Sequence, residues 1–173
     1  YYDCYCYLPL YVFCGRHLLA AKLRSASSDG FAGSTEEVSR IVDQIRGRWP
    51  SVRILVRGDS GFCREELMAW CEANGVDFVL GLAGNSCLHR KIEGELAVVE
   101  KLSRHSGEPA RRFKSFQYST RDSWSRPRRV VAKAQWSEGE ANPRYVVTTL
   151  GEHEAKSRYL YEKIYCARGD MEN

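Results

Sequence analysis

Apolar positions along the chain follow two different periods, which together predict strands alternating with helices. Short apolar runs, typical of strands, cover 1–14, 17–23, 52–57 and 76–82. The first two runs are joined by Gly15-Arg16 and predict a hairpin. Apolar positions three and four residues apart predict helices over 34–49, 63–74 and 88–102. The first helix is expected to begin with a capping box, Ser34-Thr-Glu-Glu37, and to end at Pro50.

The pattern changes after Gly107, where three strand-like runs follow one another without a helix between them. They cover 113–121, 128–136 and 144–150, and polar turns separate them. A last helical pattern runs over about 155–172. The alternation of strands and helices predicts an α/β fold with a largely continuous sheet. The residues 107–152 are interpreted as a β-rich insertion before the last helix.

Composition limits the class of protein further. The chain has 173 residues, of which 43% are hydrophobic and 28% charged, as expected for one globular domain or slightly more. No apolar stretch approaches the roughly 20 residues of a membrane span, so no membrane association is expected. Seven scattered cysteines argue against a disulfide framework and favour a reducing cytoplasm. Cys4 and Cys6 are interpreted as small buried hydrophobic residues or as half of a metal site.

Positive charge is concentrated in one part of the chain. The net charge is +4, but the segment 111–133 carries eight basic residues and one acidic residue, which leaves −3 for the rest. Such a patch predicts a polyanion as partner. Within it, Trp124 lies among cations and is suited to stacking on an unpaired base, with Trp136 as the rival. A half-buried strand aromatic is the alternative interpretation of either tryptophan. The basic neighbours of Trp124 expected to contact the polyanion are Arg121, Arg126, Arg128 and Arg129.

Two separate stretches carry residues suited to phosphate and metal chemistry. Asp59 follows a buried strand in Arg57-Gly-Asp-Ser-Gly-Phe62, where ligands bind in open α/β sheets. A turn aspartate that binds its own backbone is the alternative. At the chain end, Tyr165, Arg168 and Glu172 are spaced by three and four, so they share one face of a helix. An acceptor carboxylate beside a planar cation and a phenol suits phosphate and a divalent cation.

Other chemistries fit the sequence poorly. Gly58-Asp-Ser-Gly61 is similar to a serine-protease nucleophile loop, but Phe62 replaces the next glycine and no histidine has a suitable context. The same four residues miss the Gly-x-Ser-x-Gly spacing of hydrolases. No glycine-rich phosphate loop with a lysine is present, so nucleotide hydrolysis is not supported.

The acidic and basic motifs together resemble the DDE transposases of bacterial insertion sequences. The match lies in the group with a Tyr-x-x-Arg-x-x-x-Glu signature, here Tyr165, Arg168 and Glu172. Three long runs look like its insertion-sequence thirteen-eighty subgroup, and the resemblance covers nearly the whole chain. These runs are YYDCYCYLPLYVFCG, RGDSGFCREELMAWCEANGVDFVLGLA and the block from RFKSF to RRVVAKA.

The resemblance implies a ribonuclease-H-like core with a β-strand insertion before the last helix. It divides the chain into a core over 1–106, the basic insertion over 107–152 and a core helix over 153–173. It implies that Asp59 is the second catalytic acid and Glu172 the third, while Tyr165 and Arg168 contact DNA. The first catalytic aspartate is expected before Tyr1, so a fragment cut at both ends, and inactive as cut, is expected. Asp3 is the less favoured candidate for that role.

The implied chemistry needs hard oxygen ligands. Two Mg²⁺ ions about 3.5–4 Å apart serve the attacking and leaving oxygens of a phosphodiester displacement, and Mn²⁺ can substitute. Asp59 and Glu172 are the metal ligands expected in this chain. The predicted function is Mg²⁺-dependent cleavage and strand transfer at transposon ends. The partners expected are DNA and a second copy in a homodimer, in the bacterial cytoplasm at the nucleoid. The alternative is a catalytically inactive DNA-binding module with the same core.

Overall fold

The computed structural model describes residues 6–167, which form two β-sheets with helices packed on the larger one. The strands are β1 Leu10–Cys14, β2 His17–Lys22, β3 Leu55–Gly58, β4 Asp77–Leu82, β5 Ala110–Tyr118, β6 Arg128–Ser137, β7 Glu140–Ala141 and β8 Arg144–Thr148. The α-helices are α1 Ser34–Arg48, α2 Glu65–Ala73, α3 Ser86–Lys91, α4 Glu93–Ser106 and α5 Ser157–Tyr159. A 3₁₀ turn covers Ser60–Phe62, and a π-helix, Leu160–Tyr165, continues α5.

The larger sheet is mixed. Its strands lie in the order β3-β4-β8-β6-β5, with β7 paired to β6. β3 and β4 are parallel, and the other pairs are antiparallel. β8 therefore lies directly beside β4, and the three strands of the predicted insertion extend the same sheet. This mixed α/β arrangement is compatible with a ribonuclease-H-like fold, while the division of the chain at 106/107 stays a prediction.

Helices cover both faces of the large sheet because side chains alternate along its strands. On one face, α1, α2, α3 and α4 pack with Phe78 and Leu80 of β4. On the other face, the segment that ends in the π-helix packs with Val79 of β4. β6 and β8 alternate in the same way: Val130 and Val147 belong to the first core, and Val131 and Val146 to the second. Side chains on the face of Val79, Val131 and Val146 can therefore contact the last helix, and those on the other face cannot.

Most predicted elements are confirmed, with shifted ends. The expected hairpin is present as β1 and β2, which pair antiparallel. The third helix is not continuous, because it divides at Ile92 into α3 and α4. The short strand β7 had no counterpart in the sequence prediction. No helix among the described residues is long and apolar enough to cross a membrane.

The predicted capping box of α1 is wrong. Gly33, with φ of 72°, takes the N-cap position, and no side-chain cap bond forms there. Ser34 lies in the helix itself and is buried. Ser34 Oγ and Thr35 Oγ1 have no hydrogen-bond partner among residues 6–167.

Candidate active site at the carboxyl ends of β3 and β4

Asp59 lies immediately after β3, at the edge of the sheet where the parallel strands β3 and β4 both end. Its backbone is extended, and its Oδ1 accepts a hydrogen bond from the Gly61 amide at 2.8 Å. This bond caps the 3₁₀ turn, so the turn interpretation of Asp59 is correct. The side chain is nevertheless exposed, and Oδ2 has no hydrogen-bond partner in the described part of the chain. Asp59 can therefore cap the turn and still offer an oxygen to a ligand.

Tyr165 reaches the same place from the far end of the chain, and Gly81 is what lets it approach. A Cβ at Gly81 would lie 2.6 Å from Tyr165 Oη and 2.8 Å from the Ser60 amide nitrogen. It would also lie 3.1 Å from the Asp59 carbonyl carbon. The phenol of Tyr165 and the backbone of the Asp59 turn thus converge on one point of β4. The structure brings together two residues that the sequence analysis placed in one site.

Further contacts fix the π-helix to this edge. Arg57 on β3 donates a hydrogen bond from Nη1 to the Ile164 carbonyl at 3.0 Å. The rings of Tyr161 and Tyr165 lie 5.5 Å apart. Tyr161 is buried, which raises the pKa of its phenol to about 12, so it stays neutral at physiological pH. The end of the last helix is therefore held against β3 and β4 beside Asp59.

The other two residues of the predicted signature, Arg168 and Glu172, lie outside the described residues. The last described position, 167, comes two residues after Tyr165. The convergence of Glu172 with Asp59 therefore stays a prediction. Within residues 6–167, no group of three or more His, Cys, Asp or Glu side chains is arranged to hold a metal ion.

The basic segment is partly built into the fold. Trp124 is 9% exposed and meets the Tyr118 ring edge-on, with the centroids 5.7 Å apart. Arg128 lies over Trp124, its Cζ 5.5 Å from the ring centroid. The Arg128 side chain is 2% exposed and pairs with Glu65 at 2.6 Å and Glu72 at 2.7 Å. Both carboxylates come from α2, so this cluster joins the loop before β6 to α2.

Arg129 is also held inside the protein. Its Nη1 donates to the Leu150 carbonyl at 2.7 Å, and its Nη2 donates to the Ala155 carbonyl at 3.0 Å. Its Nε donates to Ser115 Oγ at 2.9 Å, and its guanidinium pairs with Glu152. These bonds anchor the segment after β8 to β6. The sequence analysis did not identify the acidic partners of these arginines, Glu65, Glu72 and Glu152. The available signal was the seven-residue spacing of Glu65 and Glu72, which places both on one face of a helix.

Arg121 and Arg126 differ from these buried cations because both are exposed. Arg126 pairs with Glu72 at 2.9 Å, while Arg121 has no ion pair among the described residues. Trp136, the rival stacking residue, is half-buried beneath Arg104. Trp124, Arg128 and Arg129 are thus buried and contact mainly protein groups. The DNA contacts expected of all these residues stay predictions.

A mixed sheet with helices on both faces carries an exposed aspartate where its parallel strands end, which is where open α/β sheets bind ligands. The chain belongs to the transposase DDE domain family, group 1, whose family model matches residues 1–173. No curated protein matches the chain. Family membership assigns a transposase catalytic domain, in the polynucleotidyl transferase and nuclease class, with DNA as its substrate. Transposases of this kind generally use divalent metal ions.

Proposed function

We propose that this chain is the part of an insertion-sequence transposase that cuts transposon ends and joins them to target DNA with Mg²⁺. The single observation that carries the proposal is the approach of Tyr165 to the Asp59 turn across Gly81. Two residues chosen from distant motifs meet at the edge where α/β sheets bind ligands. The Tyr-x-x-Arg-x-x-x-Glu group, and within it the thirteen-eighty subgroup, is the particular assignment proposed.

Asp59 and Glu172 are the metal ligands proposed in this chain. The exposed carboxylate of Asp59 suits a hard cation such as Mg²⁺ or Mn²⁺, because Oδ1 accepts from the Gly61 amide and Oδ2 has no hydrogen-bond partner among residues 6–167. When bound, the metal pair would supply Lewis-acid stabilisation of the attacking and leaving oxygens. The Gly61 bond fixes the direction in which Asp59 points. Glu172 is proposed to join it from the segment after Tyr165.

The DNA strand is proposed to lie along the last helix and the exposed part of the basic segment. Tyr165 can donate its phenol to a phosphate, and Arg168 can hold a phosphate or the Glu172 carboxylate with its planar fork. Arg121 and Arg126 present exposed guanidinium groups suited to backbone phosphates. The proposed active complex is a homodimer on two transposon ends, working at the nucleoid.

The decisive experiment replaces Asp59 in the complete natural protein. Asp59→Asn keeps an oxygen that can accept from the Gly61 amide but removes the charge that a metal needs. We expect Asp59→Asn and Asp59→Ala to lower Mg²⁺-dependent end cleavage by more than about 100-fold, beyond the roughly 10–100-fold typical of an outer-shell partner. Binding of transposon-end DNA without metal should change little. Cleavage is measured on a labelled transposon-end duplex.

The matched control is Asp43→Ala, an exposed aspartate on α1. It should cleave as the unmodified protein does. Normal cleavage by either Asp59 variant would reject the catalytic assignment and leave the inactive DNA-binding module as the better interpretation.

A further inference from the structure

A pair of cations lies on the sheet face that carries Tyr165. Arg144 begins β8 and pairs in register with Lys133 of β6, which pairs in turn with Phe113 of β5. Val146, two residues after Arg144, is opposite Gly81. Because side chains two apart point to the same face, Arg144 and Lys133 project on the side where Tyr165 crosses Gly81. We refer to Arg144 and Lys133 as the cation pair.

The cation pair is close to the candidate active site. Neighbouring strands are about 4.8 Å apart, and two residues along a strand advance about 6.8 Å. Arg144 therefore begins about 8 Å from Gly81 along the sheet, on the opposite side of Gly81's strand from Asp59.

The cation pair lacks a carboxylate partner in the described part of the chain. Neither Lys133 nor Arg144 has an ion pair or a side-chain hydrogen bond among residues 6–167. The acid that faces this region is Glu162, which Arg158 engages at 2.9 Å and Arg111 at 3.2 Å. Within residues 6–167, these two neighbouring positive side chains therefore have no carboxylate at ion-pair distance.

Lys133 is in an unfavourable environment for a lone cation. It is half-buried, and its Nζ lies 5.2 Å from the centroid of the Tyr161 ring. Burial and then the charge of Arg144 lower the pKa of Lys133, with Arg111 adding to the shift and Cys166 and Glu162 opposing it. The ring offers some cation–π attraction, but it supplies no negative charge. A bound anion would relieve the repulsion between Lys133 and Arg144.

We propose that Lys133 and Arg144 bind a backbone phosphate of the DNA strand next to the phosphate that is cut at Asp59. Arginine supplies a planar fork for two phosphate oxygens, and lysine supplies a point charge, so one phosphate can satisfy both. The position fixes the strand's path from the edge of β4 across β8 to β6. This inference rests on the proposed function, because it takes the cut site to be at Asp59.

The first test measures the salt dependence of binding to transposon-end DNA without metal in the complete natural protein. Each lost phosphate contact lowers the slope of log K against log salt by about 0.9 for duplex and about 0.7 for single-stranded DNA. We expect Arg144→Gln and Lys133→Gln each to lower the slope, whereas Lys133→Arg should keep it. The control Arg48→Gln removes an exposed charge on α1, a helix on the other face, and should leave the slope unchanged.

The second test locates the phosphate. Single phosphates on the strand flanking the cut are replaced one at a time by neutral methylphosphonates. At one position, the replacement should weaken DNA binding by the unmodified protein but should not weaken binding by the Arg144→Gln variant any further. Full additivity at every position would overturn the proposal, as would an unchanged slope in both glutamine variants.

The two proposals fail in different ways. If the Asp59 variants lose cleavage but the cation-pair variants keep the normal slope, the catalytic assignment stands and this inference is wrong. If the slope falls but Asp59→Asn still cleaves, the cations bind DNA phosphate but the cut site is not at Asp59, which overturns the placement proposed here.

Discussion

Gly81 is the residue on which the approach of Tyr165 to Asp59 depends. A methyl group there would meet a side-chain oxygen at 2.6 Å and a backbone nitrogen at 2.8 Å. The phenol can swing away, but the Ser60 amide belongs to the turn that Asp59 caps. An added side chain would therefore displace the two halves of the candidate site from each other.

We expect Gly81→Ala to destabilise the protein by about 1–3 kcal/mol, the usual range for overpacking, and to reduce end cleavage. The control is Gly94→Ala in α4, where an added Cβ meets nothing within 4 Å and alanine is the better helix former. Midpoints of urea unfolding for the two variants measure the difference. Equal midpoints would contradict the close approach at Gly81.

At the scale of single residues, the sequence predicts which side chains can carry chemistry better than it predicts which residues lie close together in the fold. The position of Asp59 after a strand followed from the apolar run before it and the glycines around it. The need for a glycine at position 81 did not, because it arises from residues far apart in the chain. Trp124 and Arg128 show the same limit: their sequence neighbours are cations, but their partners in space are Tyr118 and the glutamates of α2.

Helix starts differ in how they are capped, and two helices of this protein make a direct comparison. Asn85 precedes α3, and its side chain accepts a hydrogen bond from the Leu88 amide at 2.9 Å. Ser34 was expected to do the same for α1 but lies inside the helix, with Gly33 in the left-handed conformation before it. The sequence pattern alone cannot tell a cap from the first helical residue, because both accept the same residue types.

We expect Asn85→Ala to destabilise the protein by about 1 kcal/mol, the usual effect of losing a side-chain cap. Ser34→Ala should change stability by much less or increase it, since it removes a buried hydroxyl that has no partner among the described residues. Urea unfolding of the two alanine variants gives both values. A loss of about 1 kcal/mol from Ser34→Ala would restore the capping-box interpretation.

Apolar spacing predicted where helices lie, but not where they break. Leu88, Ile92 and Val99 all keep helical spacing and all face the same core, although the chain turns at Ile92 between α3 and α4. Because the apolar residues keep helical spacing on both sides of Ile92, the apolar pattern gives no sign of the break between α3 and α4. The two-residue strand β7 is similarly too short to produce a pattern.

In the whole molecule, the order of strands in the large sheet does not follow their order along the chain. β8, the last strand among residues 6–167, pairs with β4, so a strand of 107–152 lies directly beside a strand of 1–106. Strand content was predictable from apolar runs, but pairing depends on long-range packing that one sequence does not encode locally. The link from Arg128 to Glu65 and Glu72 adds a polar connection between the same two parts.

Because of this link, the free energy of unfolding depends on pH in the acidic range. The hydrogen bond from Arg128 lowers the pKa of Glu65 from 4.5 to about 2. Since the folded protein holds this carboxylate ionised more strongly than the unfolded chain does, the stabilisation is complete above about pH 4.5. It is lost as the pH falls from there towards 2.

We therefore expect Glu65→Gln to destabilise the protein at pH 6, and the difference from the unmodified protein to shrink at pH 3. Urea unfolding at the two pH values measures it. Glu66→Gln, which changes the exposed neighbouring glutamate, is the control and should show no such dependence. A gap that stays constant between pH 6 and pH 3 would show that Arg128 does not hold Glu65 ionised.

The π-helix that carries Tyr165 affects how this segment should be aligned with related sequences. Bonds in a π-helix run from residue i to i+5, so the turn holds more residues than an α-helical turn over the same length. A relative with one residue fewer between Leu160 and Tyr165 keeps its tyrosine facing β4 if it winds as an ordinary helix. An alignment that counts residues from the preceding helix without a gap would then fail to align that tyrosine with Tyr165. The reliable reference point for alignment is the contact between this tyrosine and a glycine on the strand equivalent to β4.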